Sequence, residues 1–330
     1  MAEIETMKAM VLDAANAPFR LAQVARPLPG PGEVLIRIKA SGVNPLDLKI
    51  RAGQAAHARQ PLPAILGIDL AGYVEATGPG VTRFKPGDAV YGMTGGVGGV
   101  QGSLAEFVAV DARLLAHKPT SLGMREAAAL PLVFITAWEG LVDRAAVKAG
   151  QRVLVQGAGG VGQIVVQLAR AFGAEVFAVD SAAKRDFLVG LGATPIDRAM
   201  SAEQYVAQST GGRGFDIIYD TVGGAALDAS FTAVRRFGHV VSALGWGTHA
   251  LAPLSFRAAT YSGVFTLLPL LTGEGREHHG EILAHAAELV DTGKIATRID
   301  PRRFTLETVG EAYQAIEAGS SKGKVVVEID

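Results

Sequence analysis

The stretch Val153-Leu-Val-Gln-Gly157-Ala158-Gly159-Gly160-Val161-Gly162-Gln-Ile-Val-Val constrains this chain more than any other. A short apolar run enters a glycine cluster, and an apolar, helix-compatible segment follows at once. The pattern predicts a buried strand, a turn too sharp for a Cβ, and a helix whose first N–H groups stay unpaired. Free backbone donors at the positive end of a helix dipole make an anion site. Gly157, Gly159 and Gly162 fit the spacing G-x-G-x-x-G, and Asp180 closes the next apolar run, Glu175-Val-Phe-Ala-Val-Asp180. A carboxylate about 20 residues beyond such a turn is placed to meet an adenosine ribose. A lone glycine pattern would be weak evidence in a chain with 41 glycines. Strand, glycines, helix, second strand and terminal carboxylate in this order read as a dinucleotide site rather than a plain tight turn.

The 330 residues suffice for two domains with cores of their own. A formal net charge of -1 offers no field to gather nucleic acid or an anionic membrane. There is no cysteine, which removes disulfides, thiolate metal sites and cysteine nucleophiles together. The Met1–Glu5 stretch lacks the basic and apolar regions of a signal peptide. The most apolar stretch, Ala127–Trp138, is too short to span a bilayer and contains Pro131. The expectation is a soluble, cytoplasmic protein.

Up to about Lys118 the punctuation is β-rich. Val34–Lys39 alternates as a half-buried strand with Arg37 and Lys39 on the wet face, and Asp69–Ala76, Ala89–Tyr91 and Leu104–Val110 read as further strands. The glycine-dense stretch Gly92–Gly102 is either a surface connection or a mobile rim over a cleft. Past Pro119 the texture changes. Ser121 is a candidate N-cap for a helix through Met124–Leu130, and Thr136–Val147 reads as a second helix. Strands and helices then alternate regularly: 152–156, 162–172, 175–179, 182–190, Thr194–Asp197, Asp216–Asp220 and His239–Gly245. This is the pattern of an α/β, doubly wound parallel sheet, whose ligands sit at the carboxyl ends of the strands. That edge collects Gly157, Asp180, Thr221–Gly224 (with Val222) and Ala243-Leu244-Gly245. After Gly247 come a strand candidate at Ser262–Leu268, helices over Glu281–Thr292 and Leu306–Glu317 with Thr305 as N-cap, and a final strand over Lys322–Ile329. The boundaries expected are 1–120 for a β-rich domain, 121–268 for the cofactor domain, and 269–330 for a return to the first.

Several phrases in fixed order resemble the medium-chain dehydrogenase/reductase superfamily, in its zinc-independent quinone oxidoreductase branch, which includes zeta-crystallin. They are Ala40-Ser-Gly-Val-Asn44-Pro-Leu-Asp47 with Ile50–Gly53, Gly67–Gly78, Lys85-Pro-Gly-Asp88 and Gly102–Phe107. Ala127–Pro131 through Thr136-Ala-Trp138, the glycine turn and Ser321-Lys-Gly-Lys-Val-Val326 complete a likeness that runs nearly end to end. The resemblance implies a Rossmann cofactor domain inserted into a GroES-like catalytic domain, with an active site in the cleft between them and a homodimer joined edge to edge. The apolar strand Val264–Leu268 is the candidate edge.

Zinc-dependent members of the superfamily place a Cys where this chain has Asn44, a His-Glu pair at Ile68-Asp69, and a third ligand near Leu132. An amide and aliphatic side chains do not make the N/S shell that zinc takes. Without a Lewis acid to hold an alkoxide, alcohol oxidation is disfavoured. The expected substrate is a small, hydrophobic, electron-poor quinone or α,β-unsaturated carbonyl reduced by hydride. Enoyl-thioester reduction and a catalytically silent NAD(P)H-binding role are the alternatives.

The resemblance gives Asn44 a hydrogen bond to substrate oxygen or cofactor ribose, against a simple Asx turn before Pro45. Asp47 is named with it as a catalytic candidate, although a structural acceptor role fits it better. Thr136 stands where the family approaches the nicotinamide, and a helix N-cap explains it equally well. Gly157, Ala158, Gly159, Gly160, Val161, Gly162, Asp180, Lys184, Val222, Ala243, Leu244 and Gly245 make up the cofactor set. Asp180 accepts from a ribose 2′-hydroxyl and repels a 2′-phosphate, which favours NADH. Lys184 and Arg185 lie near enough in sequence to attract the phosphate of NADPH.

Overall fold

The computed structural model describes residues 5–330, so the reading of the first residues as lacking a signal peptide falls largely outside it. The chain forms two compact units, one of residues up to Leu132 with Leu267–Asp330, the other Val133–Thr266. The first division thus falls after the helix Met124–Ala128, because that helix packs on the strands Glu33–Val43 and Asp69–Thr77 of the first unit.

The first unit is organised on the strand Glu33–Val43, which pairs antiparallel with Asp69–Thr77, Phe107–Asp111 and the C-terminal strand Val325–Glu328. These belong to a seven-stranded sheet, and a three-stranded sheet accompanies it. In the middle of the central strand Arg37 is exposed between buried Ile36 and Ile38. From Ala40 to Val43 every residue is buried. A strand covered on both faces leaves no water for polar side chains at or after its end, so they need partners within the protein. The C-terminal strand lies beside this covered half, pairing Val325 with Val43 and Glu328 with Ala40.

The second unit contains a six-stranded sheet with every pairing parallel. Counted from Arg152–Gln156, its strands lie in the order 3-2-1-4-5-6, the dinucleotide-binding arrangement in which the winding reverses between strands 1 and 4. Leu154, Phe177, Ile218 and Val240 line a core with Phe215 and Phe231 against one face. Register aligns Val179, Gln156, Asp220 and Ser242 across four strands. Asp180, Gly157, Thr221 and Ala243 therefore emerge side by side at the carboxyl edge.

Several local expectations shift. Ser121 caps no helix: its N–H and hydroxyl bind Asp291, and the helix starts behind Gly123. Thr308, not Thr305, precedes the helix Val309–Glu317. Thr136 is no N-cap either, lying inside the helix Pro131–Trp138. The edge strand is Thr260–Gly263 rather than Val264–Leu268. The apolar residues beyond Gly263 leave the sheet, and Leu268–Thr272 is helical with Pro269 in its first turn, where proline is preorganised for a helix and useless to a strand.

Candidate active site and cofactor edge

In the second unit the strand Arg152–Gln156 runs into Gly157, whose φ of +81° is left-handed and open to glycine without strain. The helix Gly160–Ala171 follows with Gly159 as N-cap and no side-chain cap. A Cβ on Gly162 would stand 1.8 Å from the Gly157 carbonyl oxygen, so the helix can sit this close to the strand only with glycine there. A Cβ on Gly159 would meet nothing within 4 Å. The turn is thus tight on the protein side and open on the other, with uncapped N–H groups of Gly160, Val161 and Gly162 left for an anion. Thr221 Oγ1 donates to the carbonyls of Gln156 and Gly157 at 2.8 and 3.0 Å, tying strand 4 to the turn.

Asp180 is engaged by the turn itself. Its Oδ2 accepts from Ala158 N–H at 2.8 Å and from Lys184 Nζ at 3.0 Å, and its Oδ1 from Ser181 N–H at 2.7 Å. Burial opposes ionisation, but these donors prevail and hold the carboxyl below its usual range. Lys184 is half exposed and also reaches the Ala158 carbonyl at 3.4 Å. At the fourth strand end, buried Asp220 accepts from the N–H groups of Val222 and Gly223 and from Ser242 Oγ. Ser242 Oγ in turn accepts from Leu244 N–H at 3.1 Å. These bonds shape Thr221–Gly223 and Ala243–Gly245, and Val222 is left exposed. Tyr261 OH occupies the space a side chain on Gly245 would need. Thr136 is nearly buried, its hydroxyl paired with that of Thr266 and its carbonyl accepting from Tyr219 OH.

The first unit holds a different assembly. Asn44 follows the central strand in extended conformation (φ −119°, ψ 153°), and Pro45 starts a helix. Asn44 N–H donates to Asp47 Oδ2 at 2.8 Å, the N-terminal half of a capping box. The Asn44 side chain is bonded on both sides within the protein. Its Nδ2 donates to Asp69 Oδ2 at 3.0 Å, and its Oδ1 accepts from Lys324 Nζ. Lys324 also donates to the Val43 carbonyl at 3.2 Å, and Asp69 Oδ1 accepts from Leu132 N–H at 2.9 Å. Asn44, Asp47 and Asp69 are at most 1% exposed and Lys324 8%.

Burial dominates the titration of this cluster. It raises Asp47 to about 7, against the pull of the Asn44 N–H and with a push from Asp69. It raises Asp69 to about 6, with Lys324 and Asn44 opposing. The Lys324 ammonium is lowered by the same burial, and the two carboxylates resist. Asp47 Oδ1 is buried with no hydrogen-bond partner, so a proton there relieves an unsolvated charge.

Lys324 and Asp69 had no assigned role in the sequence reading. A signal was present: two carboxylates and an amide gathered at one strand end require a compensating cation, and Lys324 directly precedes the strand paired with that end. The donor set does not fit zinc. Asp69 has both oxygens engaged, Ile68 and Leu132 offer hydrocarbon, and an ammonium already stands beside the amide. Among the described residues no three His, Cys, Asp or Glu side chains are grouped to hold a metal.

Comparison with known proteins agrees with both halves. Residues 30–120 match the alcohol dehydrogenase GroES-like domain, and residues 191–327 match the zinc-binding dehydrogenase domain. The 2-methylene-furan-3-one reductase of Solanum lycopersicum is 37% identical over 89% of this chain and 71% of its own. The chloroplastic NADPH-dependent alkenal/one oxidoreductase of Arabidopsis thaliana is 34% identical over 89% and 72%. The pikromycin synthase component PikAII of Streptomyces venezuelae is 34% identical over 90% of the chain, which spans only 8% of that synthase. Among solved structures, an alcohol dehydrogenase superfamily protein from Novosphingobium aromaticivorans is 59% identical with a TM-score of 0.97, covering 98% of this chain and 100% of that one. A mycobacterial quinone oxidoreductase superposes with a TM-score of 0.85 at 29% identity, over 98% and 99% of the two chains. The chain belongs to the medium-chain dehydrogenase/reductase superfamily, a family of NAD(P)H-dependent oxidoreductases. Two of its relatives, at 37% and 34% identity, are named as a 2-methylene-furan-3-one reductase and an alkenal/one oxidoreductase. No helix among the described residues is long and apolar enough to cross a membrane.

Proposed function

We propose that this protein is a metal-free reductase that passes hydride from NAD(P)H to a quinone or another α,β-unsaturated carbonyl. The observation that carries the reading is the pairing of an open glycine turn with a cluster whose donors, an amide, carboxylates and an ammonium, cannot hold zinc. When bound, the nicotinamide supplies the hydride. The N–H groups after Gly159 hold the pyrophosphate, Asp180 and Lys184 meet the adenosine ribose, and Thr136 with Ala243–Gly245 borders the nicotinamide. Asn44 is the donor assigned to the carbonyl oxygen or the cofactor ribose, and Asp47 serves as the acceptor that fixes the Asn44 backbone. An enone or quinone needs little from such a site, because the enolate or hydroquinone anion formed is delocalised and requires no Lewis acid.

Both cofactors are accommodated in this reading. Asp180 stays ionised and favours a 2′-hydroxyl, while its ion pair with half-exposed Lys184 softens the repulsion of a 2′-phosphate. The NADPH dependence of the Arabidopsis relative supports this dual use. Enoyl-thioester reduction is the second reading. It is favoured by the polyketide synthase relatives and by the CurK enoyl reductase, which superposes with a TM-score of 0.84 at 25% identity. A homodimer is inferred from the open edge of Thr260–Gly263, which pairs on one side only, and a monomeric mass in light scattering would refute it.

The test is an acceptor panel of quinones, enones and enoyl thioesters, run with EDTA-treated protein and either cofactor. Turnover of a quinone or enone supports the proposal. Turnover of thioesters alone moves the assignment to the second reading, and oxidation of neither cofactor by any acceptor refutes both.

A further inference from the structure

Four buried polar side chains meet inside the first unit, and they come from three separate segments: Asn44 with Asp47, then Asp69, then Lys324. Burying such a set has a cost unless each member is matched to the others. Around the Asn44 amide the matching is directional. Its nitrogen side faces a carboxylate, Asp69 Oδ2, at 3.0 Å, and its oxygen side faces the Lys324 ammonium. A flip of the amide would set oxygen against carboxylate and N–H against ammonium, so both bonds would become repulsions. Lys324 is itself held by the Val43 carbonyl, one residue before Asn44, and by the antiparallel pairing of Val325 with Val43. Asp69 is held in turn by the Leu132 N–H. With one Nδ2 hydrogen on Asp69, the second faces only the Gly42 carbonyl at 3.5 Å, the outer limit of a hydrogen bond.

We propose that Lys324 is a positioning residue: with Asp69 as its counterpart, its ammonium locks the Asn44 amide so that Asn44 acts as a donor toward a ligand oxygen. The proposal rests on the reading of Asn44 given above and names what makes it a donor. In this arrangement a lysine just before the last strand supplies the fixed positive charge of the site, at the strand end where zinc-dependent relatives of the superfamily keep a cation. A neutral replacement leaves the carboxylates uncompensated and the amide free to turn. An arginine keeps the charge.

The chain contains two asparagines, Asn16 and Asn44, so asparagine-selective 15N labelling gives two side-chain amide pairs, one exposed and one buried. In the full-length protein the Asn44 pair is expected to be shifted and slow to exchange with solvent. In Lys324→Met that pair should move and exchange at least tenfold faster, and in Lys324→Arg it should stay close to its native position. Parallel kinetics with the best acceptor should show kcat/KM falling roughly tenfold or more in Lys324→Met, the NAD(P)H Kd changing less than twofold, and Lys324→Arg recovering most of the loss. If Lys324→Met does not fold, Asp69→Asn, which removes the other half of the lock at nearly constant volume, carries the same expectation. An Asn44 pair unchanged in the neutral variant overturns the proposal, and so does an altered pair with unaltered kcat/KM. Should the native protein reduce no acceptor, the functional reading fails, and the amide spectra alone decide whether Lys324 locks Asn44.

Discussion

The Gly157–Gly162 turn and the Asn44 cluster hold polar groups in opposite ways. The turn is made of backbone from one continuous segment, and its donors after Gly159 are left open. The cluster is made of side chains from three segments, and apart from Asp47 Oδ1 every side-chain nitrogen and oxygen in it is matched within the protein. The turn excludes a side chain at Gly157 and Gly162 and relies on helix geometry, whereas the cluster depends on charge balance. A change in the turn should therefore act through space and on binding. A change in the cluster should act through protonation and on stability or turnover.

The largest effect is expected at the turn. Gly162→Ala places a methyl group 1.8 Å from the Gly157 carbonyl oxygen, and the helix must move away. A cost of about 2 kcal/mol, in the range for overpacking, corresponds to roughly 30-fold weaker NAD(P)H binding. Fluorescence titration of the cofactor measures it, and unchanged affinity would mean that the turn does not seat the pyrophosphate.

The next effect belongs to the cluster and has a sign. Asp47 titrates near 7 in the folded protein and near 3.9 in an unfolded chain. Between those values the folded state holds the extra proton, so stability falls as pH rises. The contribution is fully present below about pH 4 and is gone above the folded value. Asp47→Asn removes this dependence. Its Tm relative to the native protein should rise from pH 5 to about pH 7 and level off toward pH 8, by an amount on the order of a few kcal/mol in stability. Parallel Tm curves across that interval would show Asp47 to be ionised throughout. The depressed carboxyls of Asp291 and Asp300 act oppositely, losing stability only as the pH falls toward strong acid, whereas Asp69, raised to about 6, titrates in the same window and is present in both proteins compared.

A smaller change is expected at Asp180. Asp180→Ala should shift the kcat/KM ratio about tenfold toward NADPH, equivalent to ~1.4 kcal/mol. A ratio that does not move would assign the 2′-position to other residues. The variant also loses the partner of the Ala158 N–H, so affinity for both cofactors should drop slightly.

The same contrast explains what could be read in the sequence. The turn was legible because its requirements are local: glycines at fixed spacing, between a strand and a helix, with Asp180 at the end of the following strand. The parallel sheet was legible from alternation, and register then brought Gly157, Asp180, Thr221 and Ala243 to one edge without further assumptions. The cluster was only half legible. Asn44 and Asp47 share one phrase and one helix start, but Lys324 reaches Asn44 across 280 residues, and no local pattern marks a lysine as buried. The edge strand was misplaced for a related reason. Val264–Leu268 is apolar enough for a strand, yet a short apolar run does not choose between sheet and core, and Pro269 commits the chain to a helical turn just beyond it. Cap assignments at Ser121 and Thr305 failed because each hydroxyl residue had an equivalent neighbour or a distant carboxylate to bind instead.

The most direct measurement of the central claim is deuterium transfer in metal-stripped protein. Cofactor deuterated at the transferring position of the nicotinamide is supplied with a cyclic enone in the presence of EDTA, and the product is examined by NMR. The account predicts one deuterium at the β-carbon of a saturated ketone, at a rate that added zinc does not change. Deuterium on the carbinol carbon of an alcohol, or transfer that appears only when zinc is restored, would contradict it.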